Sequence, residues 1–285
     1  MVRIIVDSTC DLSKEIVEKL DITVVPLTVR FGDDEFLDSV NISNDEFYEK
    51  LLLAHDNLPT TSQPSPIKFK EVFEKYIAQG DEIVAIMVSS KLSGTMQSAT
   101  IAKNEVDEDK IYIVDSKIAS FGTYLLISEA VKMRDEGKSA SEIAIKIEHL
   151  TKNLRLFVCL NTLKYLMYGG RISKTTAAIG EMLNINPVLK AVDGELVQEG
   201  KVRGKKLSYK FMLERVKGNI DYSYPVTFGH SHAHKAIENF KDFMYKHLPI
   251  EESEIISIGP TVGTYAGPGA IGIAYVQKEN NEENK

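Results

Sequence analysis

Residues 83–104 read IVAIMVSSKLSGTMQSATIAKN, an apolar run that passes through a hydroxyl-rich turn into a helical pattern. Residues 83–88 are almost continuously apolar, which is typical of a strand buried on both faces of a parallel sheet. Residues 93–104 have the spacing of a helix. A strand followed directly by a helix is the repeating unit of parallel α/β sheets, so this stretch predicts an α/β fold.

Strand and helix patterns alternate on both sides of this unit. Residues 2–6 and 111–114 are predicted strands because they are short and apolar. In the second half, Asp193-Gly194 lies between two apolar runs and predicts a hairpin turn. A further helix is predicted from about Lys174. The alternation extends the α/β prediction to the whole chain.

The chain has 285 residues, a length that suits two modest domains. We expect two α/β domains: residues 1–155 with hydroxyl-rich ligand loops, and residues 156–285 with a glycine-rich loop. Loops at the carboxyl ends of strands are where such sheets bind ligands. We therefore expect ligand-binding residues in these loops. A hydrophobic content of 43% can fill the cores and still line a cavity.

Charge and cysteine content exclude several classes of protein. The net charge of −7 argues against a nucleic-acid partner, which would need a basic face. Cys10 and Cys159 have neither the spacing of a metal site nor that of a disulfide framework, and they suit a reducing compartment. The apolar run at residues 2–6 is too short for a signal peptide, and no stretch approaches a membrane span. We expect a cytoplasmic protein.

Two hydroxyl-rich segments are candidates for ligand binding. Residues 60–66 read TTSQPSP just before a predicted helix, and residues 89–95 read SSKLSGT at the start of another. Unpaired N–H groups at a helix start favour an anion, and Gly94 would let a ligand approach the main chain. The alternatives are an ordinary polar connection for the first segment and a plain N-cap role for Ser93 in the second.

A glycine-rich segment and two basic sites complete the set of candidates. Residues 259–269 read GPTVGTYAGPG, predicted as a long tight loop between two strands. Such loops are usually functional, although a purely structural role stays open. Arg171 follows Gly169-Gly170, and Arg203 precedes another glycine. An arginine fork can bind two oxygens of a carboxylate or phosphate; the alternative is solvated surface charge.

The histidines at positions 230, 232 and 234 could place two imidazoles on one face of a strand. No third ligand lies nearby in the sequence, so we predict a polar strand-to-helix turn and no metal. Ser93 has no nucleophile elbow around it, and the dinucleotide fingerprint is absent. We predict no catalytic residues. A hydrolase or phosphotransferase that uses the serine and threonine cluster directly stays open as the alternative.

Taken together and in order, these motifs resemble the DegV family over nearly the whole chain. The motifs are Asp7-Ser8-Thr9-Cys10-Asp11-Leu12, Thr61-Ser62-Gln63-Pro64, residues 89–95, Asp115-Ser116, Gly169-Gly170-Arg171-Ile172 and residues 259–269. The resemblance implies two α/β domains with a fatty acid buried between them. It also implies a binding subunit for a bacterial fatty acid kinase, which phosphorylates the bound carboxyl group to an acyl-phosphate.

The resemblance also assigns individual residues. Thr61 and Ser93 match the hydroxyls that hold the carboxylate. The residues expected beside them are Ser62, Gly94 and Thr95, and the glycine-rich loop adds Thr264 and Tyr265. The family often has histidine in this loop, whereas the phenol of Tyr265 can donate a hydrogen bond but cannot carry positive charge near neutral pH. Arg171 and Arg203 match basic positions near the pocket mouth.

The partners that the resemblance implies are one long-chain fatty acid and the catalytic subunit of the kinase. Neither a cofactor nor a metal is expected, and the protein itself is expected not to be an enzyme. We also expect a monomer that makes at most transient contact with a membrane. Arg171 and Arg203 are expected to dock the kinase or steer its phosphate.

Overall fold

The computed structural model describes residues 1–54, 57–172 and 185–279. The helix predicted from about Lys174 lies outside the described residues. The strands are β1 (Val2–Asp7), β2 (Thr23–Val25), β3 (Thr28–Phe31), β4 (Asp34–Leu37), β5 (Thr60–Ser62), β6 (Glu82–Met87), β7 (Ile111–Asp115), β8 (Leu154–Cys159), β9 (Ile185–Val192), β10 (Glu195–Arg203), β11 (Val226–His230), β12 (Ser253–Ser257) and β13 (Ile271–Val276).

Ten α-helices lie within these described residues. They are α1 (Lys14–Lys19), α2 (Asn44–Leu53), α3 (Pro66–Ile77), α4 (Thr95–Val106), α5 (Thr123–Asp135), α6 (Ala140–Asn153), α7 (Lys164–Tyr168), α8 (Lys205–Val216), α9 (His234–Tyr245) and α10 (Pro260–Ala266). Two short 3₁₀ turns, Ser8–Cys10 and Ser120–Gly122, follow β1 and precede α5. None of the helices in the described ranges is long and apolar enough to cross a bilayer.

The first sheet has the order β2-β1-β6-β7, and all its strands are parallel. Its central strand β6 is buried on both faces, as the apolar run at residues 83–88 predicts. Ile83 belongs to the core that β6 shares with α3 and α4, while Val84 belongs to the core of α5 and α6. The α/β prediction is therefore confirmed at the stretch from which it starts.

The second sheet is mixed and has the order β10-β9-β8-β13-β11-β12. Only β11 and β12 pair in parallel. The predicted hairpin joins β9 to β10, with Asp193 and Gly194 both at positive φ in its turn. This sheet begins at Leu154, directly after α6 ends at Asn153. The division into domains at residue 155 stays a prediction.

The faces of the second sheet point into different cores. Phe157 and Cys159 of β8 belong to a core that includes residues of α8 and α9. Leu156 and Val158, which alternate with them, belong to the core that continues into the first sheet and α5. The core that contains Leu156 and Val158 therefore lies between the first and the second sheet. A pocket in this core would have the two sheets on opposite sides.

A third, antiparallel sheet has the order β4-β3-β5 and packs with α2. Thr61 on β5 pairs with Val29 on β3, so this small sheet fixes the position of the first hydroxyl segment. Pro26 separates β2 in the first sheet from β3 in the third. The break agrees with the constraint that proline, lacking an N–H, places on a strand.

The glycine-rich segment is not the loop that its composition predicts. Residues 260–266 form the helix α10, with Gly259 in extended conformation at its N-cap and Pro260 at its first position. Proline is pre-organised for a first helical turn. Gly267 ends the helix at φ +65, a conformation that favours glycine. The prolines and glycines therefore mark the two ends of a short helix.

Candidate functional site

A cavity lies between the two larger sheets. Its apolar walls come from both halves of the chain. They include Leu27, Val88, Leu92, Ile118, Phe121, Leu156, Val158, Leu160, Leu166, Ala191, Leu196, Ile258 and Val262. Such a lining suits a long apolar ligand.

The apolar wall could not be assigned from sequence patterns. Residues 154–160 read LRLFVCL, in which apolar side chains occupy both faces of β8. Leu156 and Val158 line the cavity, whereas Phe157 and Cys159 belong to the core on the opposite face. A run that is apolar on both faces carries no signal for which side meets a ligand.

Four polar residues from separate parts of the chain line the same cavity: Thr61, Ser93, Arg171 and Tyr265. The hydroxyls of Thr61 and Tyr265 are 2.5 Å apart and share a hydrogen bond. The guanidinium carbon of Arg171 lies 4.5 Å from the centre of the Tyr265 ring, in cation–π contact. The structure thus brings together one residue from each of the four predicted segments.

Arg171 is held in place by backbone carbonyls. Its Nε donates to the carbonyl of Leu92 at 3.2 Å, and its Nη1 donates to the carbonyl of Gly169 at 2.6 Å. Gly169 also permits the approach of Tyr265, because a Cβ at this glycine would collide with the phenol ring. Hydroxyls beside a fixed guanidinium form a group that can bind a carboxylate.

Two further charged side chains line the cavity, Lys117 and Glu195. Lys117 pairs with Asp115 at 3.0 Å. Burial works to raise the pKa of Asp115, but hydrogen bonds from Ser90 and Lys117 outweigh it and hold that pKa below its ordinary value. Asp115 therefore stays ionised and keeps Lys117 paired.

The segment around Ser93 differs from its predicted form. Helix α4 begins at Thr95 with Gly94 at its N-cap, so Ser93 precedes the cap and is not the N-cap residue. The hydroxyl of Ser93 lies 2.9 Å from that of Thr95 and 3.3 Å from the Thr95 amide. Thr95 is itself buried and is not among the residues that line the cavity. Its observed role is to hold the Ser93 side chain.

Gly94 and Gln63 join the two hydroxyl segments. A Cβ at Gly94 would collide with the side-chain amide of Gln63. This close approach places the Gln63 amide where it donates to the Ser98 hydroxyl of α4 at 2.9 Å. Ser62 is the last residue of β5 and directly precedes Gln63. It is exposed and does not line the cavity. The packing explains how Thr61 and Ser93 come to one site.

Two other predicted site residues lie apart from the cavity lining. Thr264 is buried in α10, and its hydroxyl donates to the carbonyl of Pro260 at 2.9 Å. Arg203 is the last residue of β10 and is exposed. The roles expected for these two residues, in ligand and in partner binding, stay predictions.

Two buried carboxyl groups accept hydrogen bonds from residues that line the cavity. Asp7 accepts hydrogen bonds from the Thr9 amide and hydroxyl, and Asp38 accepts one from the Thr261 amide at 3.2 Å. Thr9 and Thr261 both line the cavity. Burial raises the pKa of Asp7 and of Asp38 above their ordinary values. These contacts anchor the turn after β1 and the start of α10, and sequence analysis did not single out their carboxyl groups.

Comparisons with known proteins identify the family. The family model of DegV, described as uncharacterised proteins, matches residues 1–278. A DegV domain-containing protein of Caldanaerobacter subterraneus is 34% identical over 279 residues, covering 97% of this chain and 99% of the relative. The predicted family resemblance is confirmed.

Solved structures of similar proteins share the fold. A fatty-acid-binding DegV family protein of Thermus thermophilus superposes with a TM-score of 0.88 at 29% identity, covering 96% of this chain and 99% of the other. A stearic acid-binding protein of Eubacterium ventriosum superposes with a TM-score of 0.85 at 32% identity, covering 98% and 99%. The α/β fold class is confirmed over nearly the whole chain.

Proposed function

This chain belongs to the DegV family, and we propose that it binds one long-chain fatty acid in the cavity between its two larger sheets. The observation that carries the proposal is a cavity with a mostly apolar lining that also includes a polar group of Thr61, Ser93, Tyr265 and Arg171. Relatives of the same fold bind fatty acids, stearic acid among them. The acyl chain would lie against the walls, with its carboxylate at the polar group.

The free energies that the acyl tail and the carboxylate contribute to binding separate the roles of these two parts of the ligand. Each buried methylene contributes about 0.8 kcal/mol, so a tail of ~15 methylenes offers roughly 12 kcal/mol before costs. A hydrogen bond to a charged group contributes about 1.5–3 kcal/mol. Lost translational freedom and side-chain ordering oppose both by several kcal/mol. The tail would therefore dominate affinity, while Thr61, Ser93 and Arg171 would fix where the carboxylate lies.

Mass spectrometry of solvent-extracted protein tests the binding proposal. We expect about one equivalent of long-chain fatty acid from the wild type. Ala191→Phe should reduce this amount strongly, because Ala191 lines the cavity and a phenyl ring would occupy the space of the tail. Val192→Phe is the matched control, since Val192 is the next residue of β9 and is exposed. Wild-type protein that takes up no fatty acid, even when refolded with it, would refute the proposal.

We further propose that the chain presents the bound carboxylate to a fatty acid kinase for acyl-phosphate formation. The polar group supports this role, because it would fix the carboxylate where a second protein could reach it. Arg171 and the exposed Arg203 would dock that kinase or steer its phosphate. The chain would act as a cytoplasmic monomer without a cofactor and touch a membrane only transiently.

Ser93→Ala separates presentation from binding. Loss of one hydroxyl should weaken fatty acid binding only a few-fold, because the tail dominates affinity. Acyl-phosphate formation with a kinase and ATP should fall far more, because the carboxylate loses its fixed position. Ser223→Ala is the control: Ser223 is exposed, and its hydroxyl donates to Asp221 outside the cavity lining. Unchanged acyl-phosphate formation by the Ser93 variant would refute this assignment.

The alternative, a hydrolase or phosphotransferase that uses the cluster directly, needs a base beside the nucleophile. Among the described residues, the hydrogen-bond partners of the Ser93 hydroxyl are the hydroxyl and amide of Thr95. The partner of the Thr61 hydroxyl is the phenol of Tyr265. Turnover of acyl esters, or of ATP, by the isolated protein would favour the alternative over a carrier.

A further inference from the structure

Outside the lining of the cavity, three side chains that can ligate a metal meet at the surface. They are Asp45 in the first turn of α2, His232 in the turn after β11, and His234 at the start of α9. One ligand atom from each of the three lies within 4.8 Å of those of the other two. All three residues are exposed, so an ion could reach them from solvent.

The structure supplies the third ligand that the sequence around the histidines lacks. Asp45 is remote in the chain, but its Oδ1 lies 3.7 Å from Nδ1 of His232. We propose that Asp45, His232 and His234 bind a zinc ion. Imidazole nitrogen and carboxylate oxygen are ordinary zinc ligands at about 2.0–2.2 Å. A set of three protein ligands leaves the fourth tetrahedral position for water.

One pair of ligand atoms already lies near the spacing that this ion requires, and all three lie within 4.8 Å of one another. In a tetrahedral site with bonds of about 2.0–2.1 Å, neighbouring ligand atoms are about 3.3 Å apart. The Asp45 and His232 atoms at 3.7 Å need to approach by only a few tenths of an ångström. Two imidazoles and one carboxylate also favour zinc over magnesium or calcium, which prefer all-oxygen ligand sets.

The supporting contacts hold the ligands near this geometry. The His232 ring stacks on Tyr48 with centroids 5.5 Å apart and an interplanar angle of 26°. Tyr48 is buried, and its hydroxyl donates to the carbonyl of Ile258 at 2.9 Å. Behind the turn, Nδ1 of His230 accepts a hydrogen bond from the Ala233 amide at 3.3 Å. A side chain ordered in advance loses less entropy when it binds.

A zinc ion at this site would link two parts of the fold. Asp45 belongs to α2, which packs with the small third sheet, whereas both histidines flank the junction of β11 and α9 in the second half. Because the ion would bind only where these parts are docked, it should stabilise the folded state. Fatty acid binding does not involve these residues, so this inference stands apart from the proposed function.

Isothermal titration calorimetry of metal-free protein with zinc chloride tests the site. We expect one saturable site per chain, and His234→Ala should weaken its affinity by tenfold or more. Asp45→Asn and His232→Asn should also weaken zinc binding; asparagine is chosen for His232 because that residue has φ +47. The matched control is His247→Ala: His247 follows the end of α9, and its exposed ring contacts the carbonyl of Phe243.

Thermal unfolding provides a second measurement. Zinc should raise the melting temperature of the wild type and of the His247 variant, but not that of Asp45→Asn. Fatty acid content should stay the same in all of these variants, which separates failure of this inference from failure of the carrier proposal. Absence of saturable zinc binding, or wild-type affinity in His234→Ala and Asp45→Asn, would overturn the zinc site.

Discussion

At the residue scale, Tyr265 connects the hydrogen bonding of the polar group to its positive charge. Its hydroxyl bonds Thr61, and its ring lies against the guanidinium of Arg171. A phenol contributes hydrogen bonding and no positive charge. The positive charge beside Tyr265 and Thr61 is that of the Arg171 guanidinium.

A double-mutant cycle on the Thr61–Tyr265 pair tests whether the two hydroxyls act together. Thr61→Val and Tyr265→Phe remove the hydroxyls with little change of shape, and each should weaken fatty acid binding by roughly 2–10-fold, about 0.5–1.5 kcal/mol. The double variant should lose less than the product of the two effects, because either change already breaks the shared bond. Displacement of a fluorescent fatty acid measures the affinities.

The control for this cycle is Tyr168→Phe, which removes a phenol hydroxyl from an exposed ring. We expect wild-type affinity in that variant. Strictly multiplicative effects of Thr61→Val and Tyr265→Phe would show that the two hydroxyls act on the ligand independently.

Asp11 is a buried carboxyl group whose protonation should contribute to the pH dependence of stability. Neither of its oxygens has a hydrogen bond of ordinary geometry within the described structure, although the Ser120 hydroxyl and the Gly259 amide lie close enough to oppose the rise of its pKa in part. Burial raises its pKa well above the ordinary value of 3.8, and repulsion from Asp38 adds to the effect. Below pH 3.8 both folded and unfolded chains hold the proton. As pH rises toward the raised pKa, only the folded chain keeps it, so this residue progressively costs stability.

Asp11→Asn removes the titration and keeps the shape, and asparagine tolerates the φ of +57 at this position. We expect an unfolding free energy ~1–3 kcal/mol above the wild type at pH 8, because no charge is then buried at this position. This difference should shrink as pH falls toward 4. Urea unfolding from pH 4 to pH 8 measures it, with the exposed Asp33→Asn as control. A difference that does not depend on pH would contradict the protonation argument.

Single site residues could be predicted from sequence where polar side chains break an otherwise apolar pattern. Thr61, Ser93, Arg171 and Tyr265 each lie in such a segment, and all four line the cavity. Within a segment, the choice between neighbours depends on side-chain direction. Ser62 follows Thr61 on the same strand and therefore points the other way, a fact that composition does not encode.

At the element scale, α10 shows why local composition misled. Glycine disfavours a helix by about 1 kcal/mol, so four glycines in a short segment predict a loop. In the fold, a Cβ at Gly263 would lie 2.7 Å from both Phe47 and the Tyr48 hydroxyl of α2. Gly263 therefore serves close packing between two helices. That reason depends on residues distant in sequence, which a local pattern does not contain.

Gly267, at the end of α10, can be compared with Gly218 to separate the cost of a positive φ from the cost of a steric clash. A Cβ at Gly267 would collide with the Tyr165 ring, whereas Gly218 also has positive φ but open space around it. Gly218→Ala should cost about 1 kcal/mol of unfolding free energy. Gly267→Ala should cost ~1–3 kcal/mol more, because the ring must move as well.

Urea unfolding of the two glycine variants, side by side, measures this difference. Equal losses in both would show that crowding against Tyr165 adds nothing. Gly267→Ala should also weaken fatty acid binding, since α10 carries Tyr265 into the cavity. Gly218→Ala should leave binding unchanged.

The order of strands was beyond sequence reasoning, although single elements were not. The β6–α4 unit and the β9–β10 hairpin are encoded by neighbouring residues, and both form as predicted. The second sheet instead places β13 between β8 and β11. That order depends on pairings between strands that are distant in the sequence. Each strand is equally apolar in every possible order, so the apolar pattern does not select one of them.

At the scale of the whole molecule, one aromatic ring packs where the two larger sheets meet. Phe121, in the 3₁₀ turn before α5, fits into space left by Gly229 on β11 and Gly272 on β13, where any Cβ would collide with it. The same ring lines the cavity. Ligand binding and docking of the sheets therefore depend on a shared surface.

This shared surface predicts that a fatty acid stabilises the protein as one unit. The cavity is lined by the segments that follow β1, β6 and β7 of the first sheet and by residues of β8, β9 and β10 of the second, so a fatty acid bound there would require both to be folded and docked. Free ligand at about 100 times its dissociation constant should add about 2.7 kcal/mol to the unfolding free energy. Delipidated protein titrated with stearate should show one thermal transition that moves upward, and Ala191→Phe should not respond. Two separate transitions, only one of which moves, would instead place the ligand within a single half of the chain, because a ligand shifts only the unfolding of the unit that binds it.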